Sequence, residues 1–442
     1  MIDMSIEREI AVKALLEHHK TGTWPDLYLK NRLEPLNRAQ AALATNITYG
    51  VLQNLNLIDY YIAHFSSIKI NKISPVVLET MRTAVYQILF LDKIPDSAAV
   101  NESVNYIKKS PESRASGFAN AVLRTIVRRK NNLPEIKGKD DVETLAIKYS
   151  HPVWLVRKFV RIFGIEEAEQ LLKADNESVK PVIRVNTLKT DVEAFIKMAL
   201  EVSENRFEPV SGLENALYVS DLASILKSSL FADGYFYVQD AASQYAVKVL
   251  EPKPGDKVLD ICAAPGGKSL LAAQMMNNCG TVISNDIYQH KAEIISANAR
   301  RYGTDIIEVS CSDSTQRREE FVGSFDRIIC DVPCSGLGII RKKPDIRFKD
   351  ESTIGGLRPI QRKILENAAS YLKPGGQMIY TTCTIVPEEN ELMLKAFLKE
   401  HEDFSLVNFS INGEETGGMI TLLPHRHGTD GFFISKLERR PV

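Results

Sequence analysis

The spacing of apolar residues changes along this chain of 442 residues, and each change predicts a different kind of structure. Up to about residue 131, apolar side chains recur every three or four positions, as in residues 6–16, which is typical of amphipathic helices. Packing several such helices together would bury their apolar stripes. We therefore expect an all-α domain over residues 1–140, which ends in a linker-like stretch at 131–140.

Beyond residue 140 the pattern becomes mixed. Residues 141–236 begin with a helical pattern and continue with strand-like segments at 181–186 and 216–219, which predicts a small α+β domain. From residue 237 to 442, short β-branched runs alternate with helical segments, an order typical of βαβ units and a parallel sheet. The strands expected in this α/β domain are 258–261, 281–285, 306–310, 325–331, 377–382 and 432–437.

Composition narrows the class of protein. Hydrophobic residues make up 44% of the chain, and no run approaches the ~18 consecutive apolar residues of a membrane span, so we expect a soluble, cytoplasmic protein. The cysteines are too sparse for a disulfide framework, and Cys330 and Cys334 lack a second pair at zinc spacing, so we expect no metal site. All six lie in the last 181 residues: Cys262, Cys279, Cys311, Cys330, Cys334 and Cys383.

The net charge of −1 conceals an uneven distribution. Residues 1–150 carry 20 Lys and Arg against 16 Asp and Glu, and residues 101–130 carry seven against two. Such a cluster is suited to binding phosphates of a nucleic acid. An alternative interpretation is a solvated helix end, where cations suit the negative pole of the helix dipole.

A turn of small residues joins the first expected strand of the α/β domain to a helix. Its glycines allow a ligand close to the backbone, and the helix N-terminus offers unpaired N–H groups. Cys262 stands where a P-loop needs its first glycine, and Lys268 stands where a dinucleotide motif needs its second. The spacing therefore favours neither, and the predicted cofactor-binding loop consists of Cys262, Ala263, Ala264, Pro265, Gly266, Gly267 and Lys268.

Acidic residues follow the next three strands. Asp286, 19 residues after Gly267, stands where such folds place an acceptor for ribose hydroxyls, and Asp313 could hold an adenine amino group. With Asp331 they would point into one crevice at the carboxyl edge of the sheet, which suits a nucleoside without phosphates such as S-adenosylmethionine (SAM). The alternative is that each acid merely caps a helix.

Two cysteines are expected beside this crevice. Cys334 follows the fourth strand and Cys383 lies at the end of the fifth, so adjacent parallel strands would bring both thiols and Asp331 to the same edge. Their polar, turn-rich neighbours favour exposure and reactivity. Of the remaining cysteines, we interpret one as a wall of the cofactor loop and three as small buried hydrophobic residues, namely Cys262 and then Cys279, Cys311 and Cys330.

These motifs carry a resemblance. The segments Asp331-Val332-Pro333-Cys334-Ser335-Gly336 and Thr382-Cys383-Thr384 resemble motifs of the RNA cytosine-C5 methyltransferase family, and the chain is similar to the bacterial 16S rRNA branch called Sun or Fmu. Residues 1–140 are similar to the antitermination factor NusB, and residues 151–154, 238–243 and 430–433 also recur in that branch. Thr384 departs from the serine that is common there, but it retains a hydroxyl.

The resemblance implies a NusB-like RNA-binding domain, a small α+β domain and a Rossmann-like SAM-dependent methyltransferase domain. It implies that Cys383 adds to carbon 6 of a cytosine in 16S rRNA, that Asp331 contacts the base, and that Cys334 assists release. Lys268 would help to place the base or the loop. We expect a monomer.

Three alternatives remain at the level of the sequence. A DNA-type enzyme would use Cys334 as the nucleophile, and a transfer RNA could be the substrate. A non-catalytic NusB-like RNA-binding assembly factor would need neither thiol, so calorimetry of SAM binding would distinguish it from an enzyme.

Overall fold

The computed structural model describes residues 4–441, apart from the side chain of Thr353. The chain forms two compact units, which divide between Asn176 and Glu177. Within the described residues, no helix is long and apolar enough to cross a membrane, and no cluster of three or more His, Cys, Asp or Glu side chains could hold a metal ion.

The first unit is entirely helical, as the apolar spacing predicts. Its core contains side chains such as Leu15, Val51, Met81 and Leu123, which are at most 2% exposed. The helices are α1 (Ile6–Thr21), α2 (Asp26–Leu33), α3 (Arg38–Gln53), α4 (Leu55–Phe65), α5 (Pro75–Phe90), α6 (Asp96–Lys109), α7 (Ser116–Arg129), α8 (Asp141–Lys148), α9 (Val153–Phe163) and α10 (Ile165–Ala174), with 3₁₀ turns at Ile70–Lys72 and Ser113–Ala115.

Helices α8 to α10 pack within this unit rather than with the strands that follow them. The Nδ2 atom of Asn56 on α4 donates to the carbonyl oxygens of Ala146 and His151, at 3.3 and 3.0 Å. Leu155 and Phe159 of α9 are fully buried. The three-domain division at residues 140 and 236 remains a prediction from the sequence.

The second unit opens with a small antiparallel sheet in the order β2-β3-β1-β4. Strand β1 is central, since Ile183 pairs with Leu217 on one side and with Val238 on the other. The elements of this part are β1 (Val182–Val185), α11 (Val192–Val202), β2 (Phe207–Val210), β3 (Leu213–Val219), α12 (Leu222–Ile225), α13 (Ser229–Ala232) and β4 (Phe236–Val238).

A larger mixed sheet forms the rest of the unit. Strands β9-β8-β5-β6-β7 are parallel, and β14 joins β9 in the antiparallel sense and pairs with both β10 and β13. The strands are β5 (Lys257–Asp260), β6 (Thr281–Asp286), β7 (Ile307–Cys311), β8 (Phe325–Asp331), β9 (Leu372–Thr382), β10 (Phe404–Leu406), β13 (Met419–Leu422) and β14 (Phe432–Arg439), with a separate hairpin of β11 (Ser410–Ile411) and β12 (Glu414–Glu415).

The six strands expected from the sequence are all present, with ends that differ by one or two residues except where β9 begins at Leu372. Apolar clusters cover both faces of the sheet. The helices of this part are α14 (Ala241–Leu250), α15 (Gly267–Met275), α16 (Gln289–Tyr302), α17 (Glu351–Ile354), α18 (Arg358–Tyr371), α19 (Glu391–Glu400) and α20 (Pro424–His427), with 3₁₀ turns at Glu319–Phe321, Pro344–Phe348, Gly355–Leu357 and Pro387–Glu389.

Because parallel strands end at the same edge, the residues after β5, β6, β8 and β9 lie close together. Direct contacts demonstrate this: the Nζ atom of Lys268 lies 2.6 Å from an Asp331 oxygen, and the backbone N–H of Ala264 donates to Asp286. The carboxyl edge of the sheet is therefore where the predicted site residues meet.

Candidate active site

The predicted cofactor loop turns sharply between β5 and α15. Gly266 precedes α15 with a φ of +100°, a left-handed conformation that disfavours any residue with a Cβ atom. Gly267 faces a neighbouring strand so closely that a Cβ atom there would lie 2.8 Å from Cε1 of Tyr237. The loop thus needs both glycines, one for its backbone angle and one for its close approach.

A cavity of about 220 Å³ lies against this loop. Lys268 is the one cation among its lining residues, and it is paired with Asp331. The cavity therefore suits a ligand without phosphates better than a nucleotide. Its walls are formed by Tyr237, Val238, Gln239, Asp240, Ser243, Asp260, Cys262, Ala263, Ala264, Pro265, Gly267, Lys268 and Asp331.

Asp260, the last residue of β5, belongs to the site although sequence reasoning overlooked it. The Ser269 hydroxyl donates to its Oδ2 atom at 2.7 Å, whereas among the described residues its buried Oδ1 atom has no hydrogen-bond partner. Burial raises the pKa of this carboxyl to about 7. Its place at the end of a strand before the loop was the available signal, the same signal that identified the other acids.

Asp286 and Asp313 lie after β6 and β7 as predicted, but neither lines the cavity. Asp286 accepts backbone N–H groups of Ala264 and Tyr288 at 3.3 and 3.2 Å, so it ties the end of β6 to the cofactor loop. Thr315 donates to Asp313 through its backbone N–H and its hydroxyl, and these bonds hold the pKa of Asp313 below its usual range. Part of each carboxylate is thus used to order a turn, but neither residue is a helix N-cap, since α16 has Tyr288 at that position and no α-helix begins after Asp313 until α17.

Lys268 and Asp331 form an ion pair that links the loop to the end of β8. The Nζ atom of Lys268 lies 2.6 Å from Asp331 Oδ2, and the Thr381 hydroxyl donates to Oδ1 at 2.7 Å. Burial alone would lower the pKa of Lys268, but the charge and hydrogen bond of Asp331 outweigh it, and the pKa lies above its ordinary value. Lys268 is therefore charged at neutral pH, and the hydrogen bonds hold both side chains in place.

The two predicted reactive thiols meet beside this pair. The Sγ atoms of Cys334 and Cys383 lie 3.1 Å apart, and both side chains are partly exposed. The hydrogen bond between the two thiols has the largest effect on the pKa of each. It raises the pKa of Cys334, and burial raises it further. It lowers the pKa of Cys383, against burial and with help from the charge of Lys268. Cys383 is the better thiolate of the two.

Side-chain and backbone hydrogen bonds hold the turn that carries Cys383. Asn390 accepts from the Thr382 hydroxyl at 2.6 Å and donates to the Thr384 carbonyl at 2.9 Å, so it brackets the cysteine. The N–H of Gly338 donates to the Cys383 carbonyl at 3.0 Å, and the N–H of Gly431 donates in turn to the Gly338 carbonyl at 2.7 Å. Sequence reasoning did not identify this support.

A buried carboxyl supports Cys334 from the other side. Glu389, 1% exposed, accepts from the backbone N–H of Ser335 at 3.0 Å and from Nε2 of Gln361 at 2.7 Å. The Ser335 and Thr384 hydroxyls lie 2.8 Å apart. The hydroxyl that Thr384 retains in place of serine therefore links the segments that carry the two thiols.

The loop after β8 carries four basic residues, which by charge alone would suit phosphates that flank a target base, namely Arg341, Lys342, Lys343 and Arg347. Arg341 pairs with Asp430 at 2.9 Å, and Lys342 lies 2.7 Å from Asp430 and 2.5 Å from Asp240. Arg347 is only 1% exposed. Arg341 and Lys342 are thus paired within the protein and Arg347 is buried, whereas Lys343 is exposed to solvent.

The remaining cysteines divide differently from the prediction. Cys330 is fully buried, as expected, but Cys279 and Cys311 are exposed, so their interpretation as buried hydrophobic residues was wrong. Both lie near strand ends, where apolar neighbours in the sequence do not guarantee cover. Burial raises the pKa of Cys262, which lines the cavity as predicted.

The basic cluster of the helical unit surrounds a second cavity, of about 360 Å³, between α6 and α7. Lys108 and Arg124 are exposed on its rim. Nearby, Lys130 pairs with Asp96 at 3.1 Å and Arg128 donates to Thr125, so part of the cluster is engaged within the unit. The cavity is lined by Asn101, Val104, Asn105, Lys108, Ser116, Gly117, Asn120 and Arg124.

Family models match three consecutive parts of the chain. Residues 5–128 match the NusB family, and residues 151–225 match the ferredoxin-like domain of RsmF/B-like methyltransferases. Residues 247–438 match the model described as 16S rRNA methyltransferase RsmB/F. The first unit thus contains a NusB-like helical domain, and the large mixed sheet is a Rossmann-like methyltransferase fold.

Individual relatives span nearly the whole chain. The chain is 36% identical to a probable ribosomal RNA small subunit methyltransferase B of Bacillus subtilis (strain 168), over 98% of both chains. It is 31% identical to a protein described in the same words from Synechocystis sp. (strain PCC 6803), over 98% of this chain and 99% of the other. The crystal structure of PH0851 superimposes with a TM-score of 0.79 at 28% identity, over 99% and 100% of the two chains.

Proposed function

This chain belongs to the RsmB/F family of 16S rRNA methyltransferases, and from that we propose that it methylates carbon 5 of one cytosine in 16S rRNA through a covalent adduct with Cys383. The observation that carries the proposal is the meeting of two thiols at 3.1 Å beside the Lys268–Asp331 ion pair. The same observation favours an enzyme over a non-catalytic assembly factor, which would not need such a pair.

The cofactor loop fits SAM, which supplies the methyl group when bound. Gly266 and Gly267 let a ligand approach the backbone, and the paired state of Lys268 leaves no cation for a phosphate among the residues that line the cavity. The unpartnered Oδ1 atom of Asp260 suits a positively charged amino group. Asp286 and Asp313 would receive ribose and adenine donors through carboxylate lone pairs that their turns leave unused.

Cys383 is the nucleophile of the proposal. Carbon 5 of cytosine reacts poorly as it stands, but addition of a thiolate to carbon 6 turns the amino nitrogen, carbon 4 and carbon 5 into an enamine whose carbon 5 can take a methyl group. The lowered pKa of Cys383, caused first by the Cys334 thiol and supported by Lys268, increases the fraction of thiolate.

Asp331 and Lys268 hold the base for methyl transfer. An ionised carboxylate accepts a hydrogen bond from the exocyclic amine, and this bond strengthens when the enamine gives electrons to the methyl group and the amine gains positive character. Because the Thr381 hydroxyl and the Lys268 ammonium each donate to Asp331, its position is fixed before the base arrives. Lys268 thus acts on the base through Asp331.

Cys334 serves the release of product. Once carbon 5 carries the methyl group, its proton must leave to a base, and the electron pair of that C–H bond then re-forms the double bond and expels the Cys383 sulfur from carbon 6. Cys334 lies 3.1 Å from that sulfur and can hydrogen-bond to it as it departs as a thiolate. Its own raised pKa favours the thiol form that this contact requires.

The helical unit supplies RNA binding in this proposal. The exposed basic residues on the rim of the second cavity would bind phosphates, and the polar cavity is wide enough for an unpaired nucleotide. The target cytosine itself must leave its stack to reach the thiols, so the substrate is a loop or a locally opened helix. We propose further that the enzyme acts as a cytoplasmic monomer.

A single experiment tests the reaction. The protein is incubated with SAM labelled in its methyl group and with 16S rRNA from a strain that lacks the protein, and the product is mapped by bisulfite sequencing. We expect one protected cytosine, absent when transfer RNA replaces rRNA. Label incorporated at any other atom or base, or none with SAM bound, would contradict the proposal, and a protected cytosine in transfer RNA alone would favour that substrate instead.

A further inference from the structure

A buried arginine with no acidic partner lies behind the cavity of the active site. Arg184 on β1 is 2% exposed, and no ion pair among the described residues involves it. Its Nη1 atom donates to Oε1 of Gln239 and to the carbonyl oxygen of Gly267, the latter at 3.1 Å, whereas its buried Nε atom has no hydrogen-bond partner in the part of the chain that the structure describes. Burying such a charge is costly unless the arrangement serves another purpose.

Arg184 fixes which way the side chain of Gln239 points. A guanidinium has only donors, so the amide oxygen of Gln239 must face it and the NH₂ group must face away. The backbone of Gln239 is held as well, since its N–H donates to Val182 at 3.1 Å and its carbonyl accepts from Gln244 at 3.0 Å. With 7% of its surface exposed, Gln239 has little freedom to turn.

The NH₂ group of Gln239 is available to a ligand. Gln239 lines the 220 Å³ cavity together with Lys268 and Asp331, and a Cβ atom built on Gly267 would lie 3.3 Å from its Nε2 atom. Within residues 4–441, that nitrogen makes no hydrogen bond to a protein acceptor. A buried amide donor that the protein leaves unused implies an acceptor on whatever enters the cavity.

We propose that Gln239, oriented by Arg184, donates a hydrogen bond to the O2 atom of the target cytosine. This inference rests on the proposed function. The Watson–Crick edge of cytosine presents an amino donor at one end and the O2 acceptor at the other, and the cavity offers Asp331 as an acceptor and Gln239 as a donor. Addition of sulfur to carbon 6 increases the negative charge on O2, so the bond strengthens as the reaction proceeds. Arg184 is a positioning residue.

The test exchanges the donor for an acceptor without removing the partner of Arg184. In Gln239→Glu, the carboxylate still accepts from Arg184, but it presents an oxygen to the cavity. We expect kcat/KM for rRNA methylation to fall about 100-fold, the loss typical of an oxyanion donor. The assay uses saturating SAM, because Gln239 lines the cavity that also receives the cofactor, and the melting temperature should not fall. Gln170→Glu, an exposed substitution on α10, adds the same charge as a control.

A change in the substrate identifies the acceptor. Once the target position is mapped, RNA with 2-thiocytidine there replaces O2 by a weakly accepting sulfur. We expect the wild type to lose activity on this RNA and Gln239→Glu to lose nothing further. Equal losses from the sulfur in both proteins, or wild-type kcat/KM in Gln239→Glu, would overturn the inference. Absence of methylation of the unmodified rRNA by the wild type would instead contradict the proposed function.

Arg184→Lys tests the positioning role. A lysine can bond well to only one of the two oxygens that Arg184 contacts, the side-chain oxygen of Gln239 and the carbonyl oxygen of Gly267. We therefore expect Arg184→Lys to lower kcat less than Gln239→Glu does, and to cause no additional fall when the two substitutions are combined. Additive losses in the double variant would overturn the assignment of Arg184 as a residue that acts through Gln239.

Discussion

At the scale of single residues, the two thiols at 3.1 Å differ in the groups around them. The charge of Lys268 helps to lower the pKa of Cys383, whereas the charge of the buried Glu389 helps to raise the pKa of Cys334. The pKa values of two chemically identical side chains are thereby shifted in opposite directions. The difference supports the proposal that Cys383 attacks the base and Cys334 assists release.

Substitution of each cysteine separates these roles. Cys383→Ala should be inactive and form no covalent complex with RNA, because alanine offers no nucleophile. Cys334→Ala should attack and transfer the methyl group, then stall as a protein–RNA species that survives denaturing gel electrophoresis. Exposed Cys279→Ala is the control and should behave as the wild type. A stable adduct in Cys383→Ala, with none in Cys334→Ala, would reverse the assignment, as the DNA-type alternative requires.

Asp260 makes stability depend on pH. Burial raises its folded pKa to about 7, above the ordinary value of 3.8. Between these values the folded protein holds a proton that the unfolded chain has lost, so the stabilising contribution is complete below about pH 4 and is lost as the pH rises through about 7. Asp260→Asn, neutral at every pH, should therefore become more stable relative to wild type as the pH rises.

Urea unfolding of the wild type and of Asp260→Asn at pH 5, 6, 7 and 8 measures this effect. We expect the unfolding free energy of Asp260→Asn minus that of the wild type to increase from pH 5 to pH 8 and to level off above pH 8. Parallel curves would mean that Asp260 is already ionised at pH 5. Asp313→Asn is the control. Because the pKa of Asp313 is lowered in the folded protein, its stabilising contribution is fully present above its usual pKa. The difference in unfolding free energy between this variant and the wild type should therefore stay constant from pH 5 to pH 8.

Residues with a motif were predictable, and residues without one were not. The positions of Asp331, Cys334 and Cys383 follow from strand order alone, since adjacent parallel strands end side by side. Arg184 and Gln239 could not be placed, because nothing local indicates that β1 and β4 pair and face the cofactor loop. Cys279 and Cys311 were assigned by residue type, which does not determine exposure.

At the scale of elements, the end of β9 depends on two glycines outside it. A Cβ atom on Gly338 would overlap the backbone of Gly431, and one on Gly431 would lie 2.7 Å from Cα of Gly338. Because both residues are glycines, they approach closely enough for the N–H of Gly431 to donate to the Gly338 carbonyl, while the N–H of Gly338 donates to the Cys383 carbonyl. The loop after β8 and the start of β14 are thus part of the support for the nucleophile.

We expect Gly338→Ala to displace the turn that carries Cys383. The kcat for methylation should fall at least tenfold, because a misplacement of about 1 Å at a reacting group can cost ~100-fold. SAM affinity should remain within twofold, since Gly338 does not line the cavity. Gly356→Ala, where an added Cβ meets nothing within 4 Å, is the matched control. Equal activities of the two variants would show that the turn tolerates displacement.

The main elements were predictable because their patterns are strong. The parallel strands are short runs rich in β-branched residues that alternate with helical segments, and the last strand was expected at 432–437. The short strands β10 to β13 were missed, since each has at most four residues and an exposed or irregular pattern. They form through pairing with β14 or with each other, which is a tertiary effect.

At the scale of the whole molecule, the chain carries a basic, NusB-like helical unit and an acidic unit with the methyltransferase fold. The charge asymmetry of the sequence follows this division into units, but it did not predict that α8 to α10 would pack within the helical unit. Contacts such as those of Asn56 with Ala146 and His151 join residues about 90 positions apart, which no local pattern reveals.

Removing the exposed rim cations should weaken RNA binding without affecting the cofactor. In Lys108→Ser/Arg124→Ser, we expect lower rRNA affinity and a salt dependence (log Kd against log salt) shallower by about one to two, since each lost phosphate contact contributes ~0.7–0.9. SAM affinity should not change. Lys137→Ser/Lys139→Ser removes the same charge elsewhere in this unit and serves as the control. Identical slopes in all three proteins would place the phosphate contacts elsewhere.

The backbone relay from Gly431 through Gly338 to Cys383 has a consequence for sequence divergence. Every donor and acceptor in it is a peptide group, so mutation of the intervening side chains cannot delete them. The position of the nucleophile can then persist while the surrounding sequence drifts, provided that the two glycines remain small. Proteins that share only about a third of their residues could therefore keep the same reactive geometry, and a search for distant relatives would gain more from this pair of glycines than from the loops on either side.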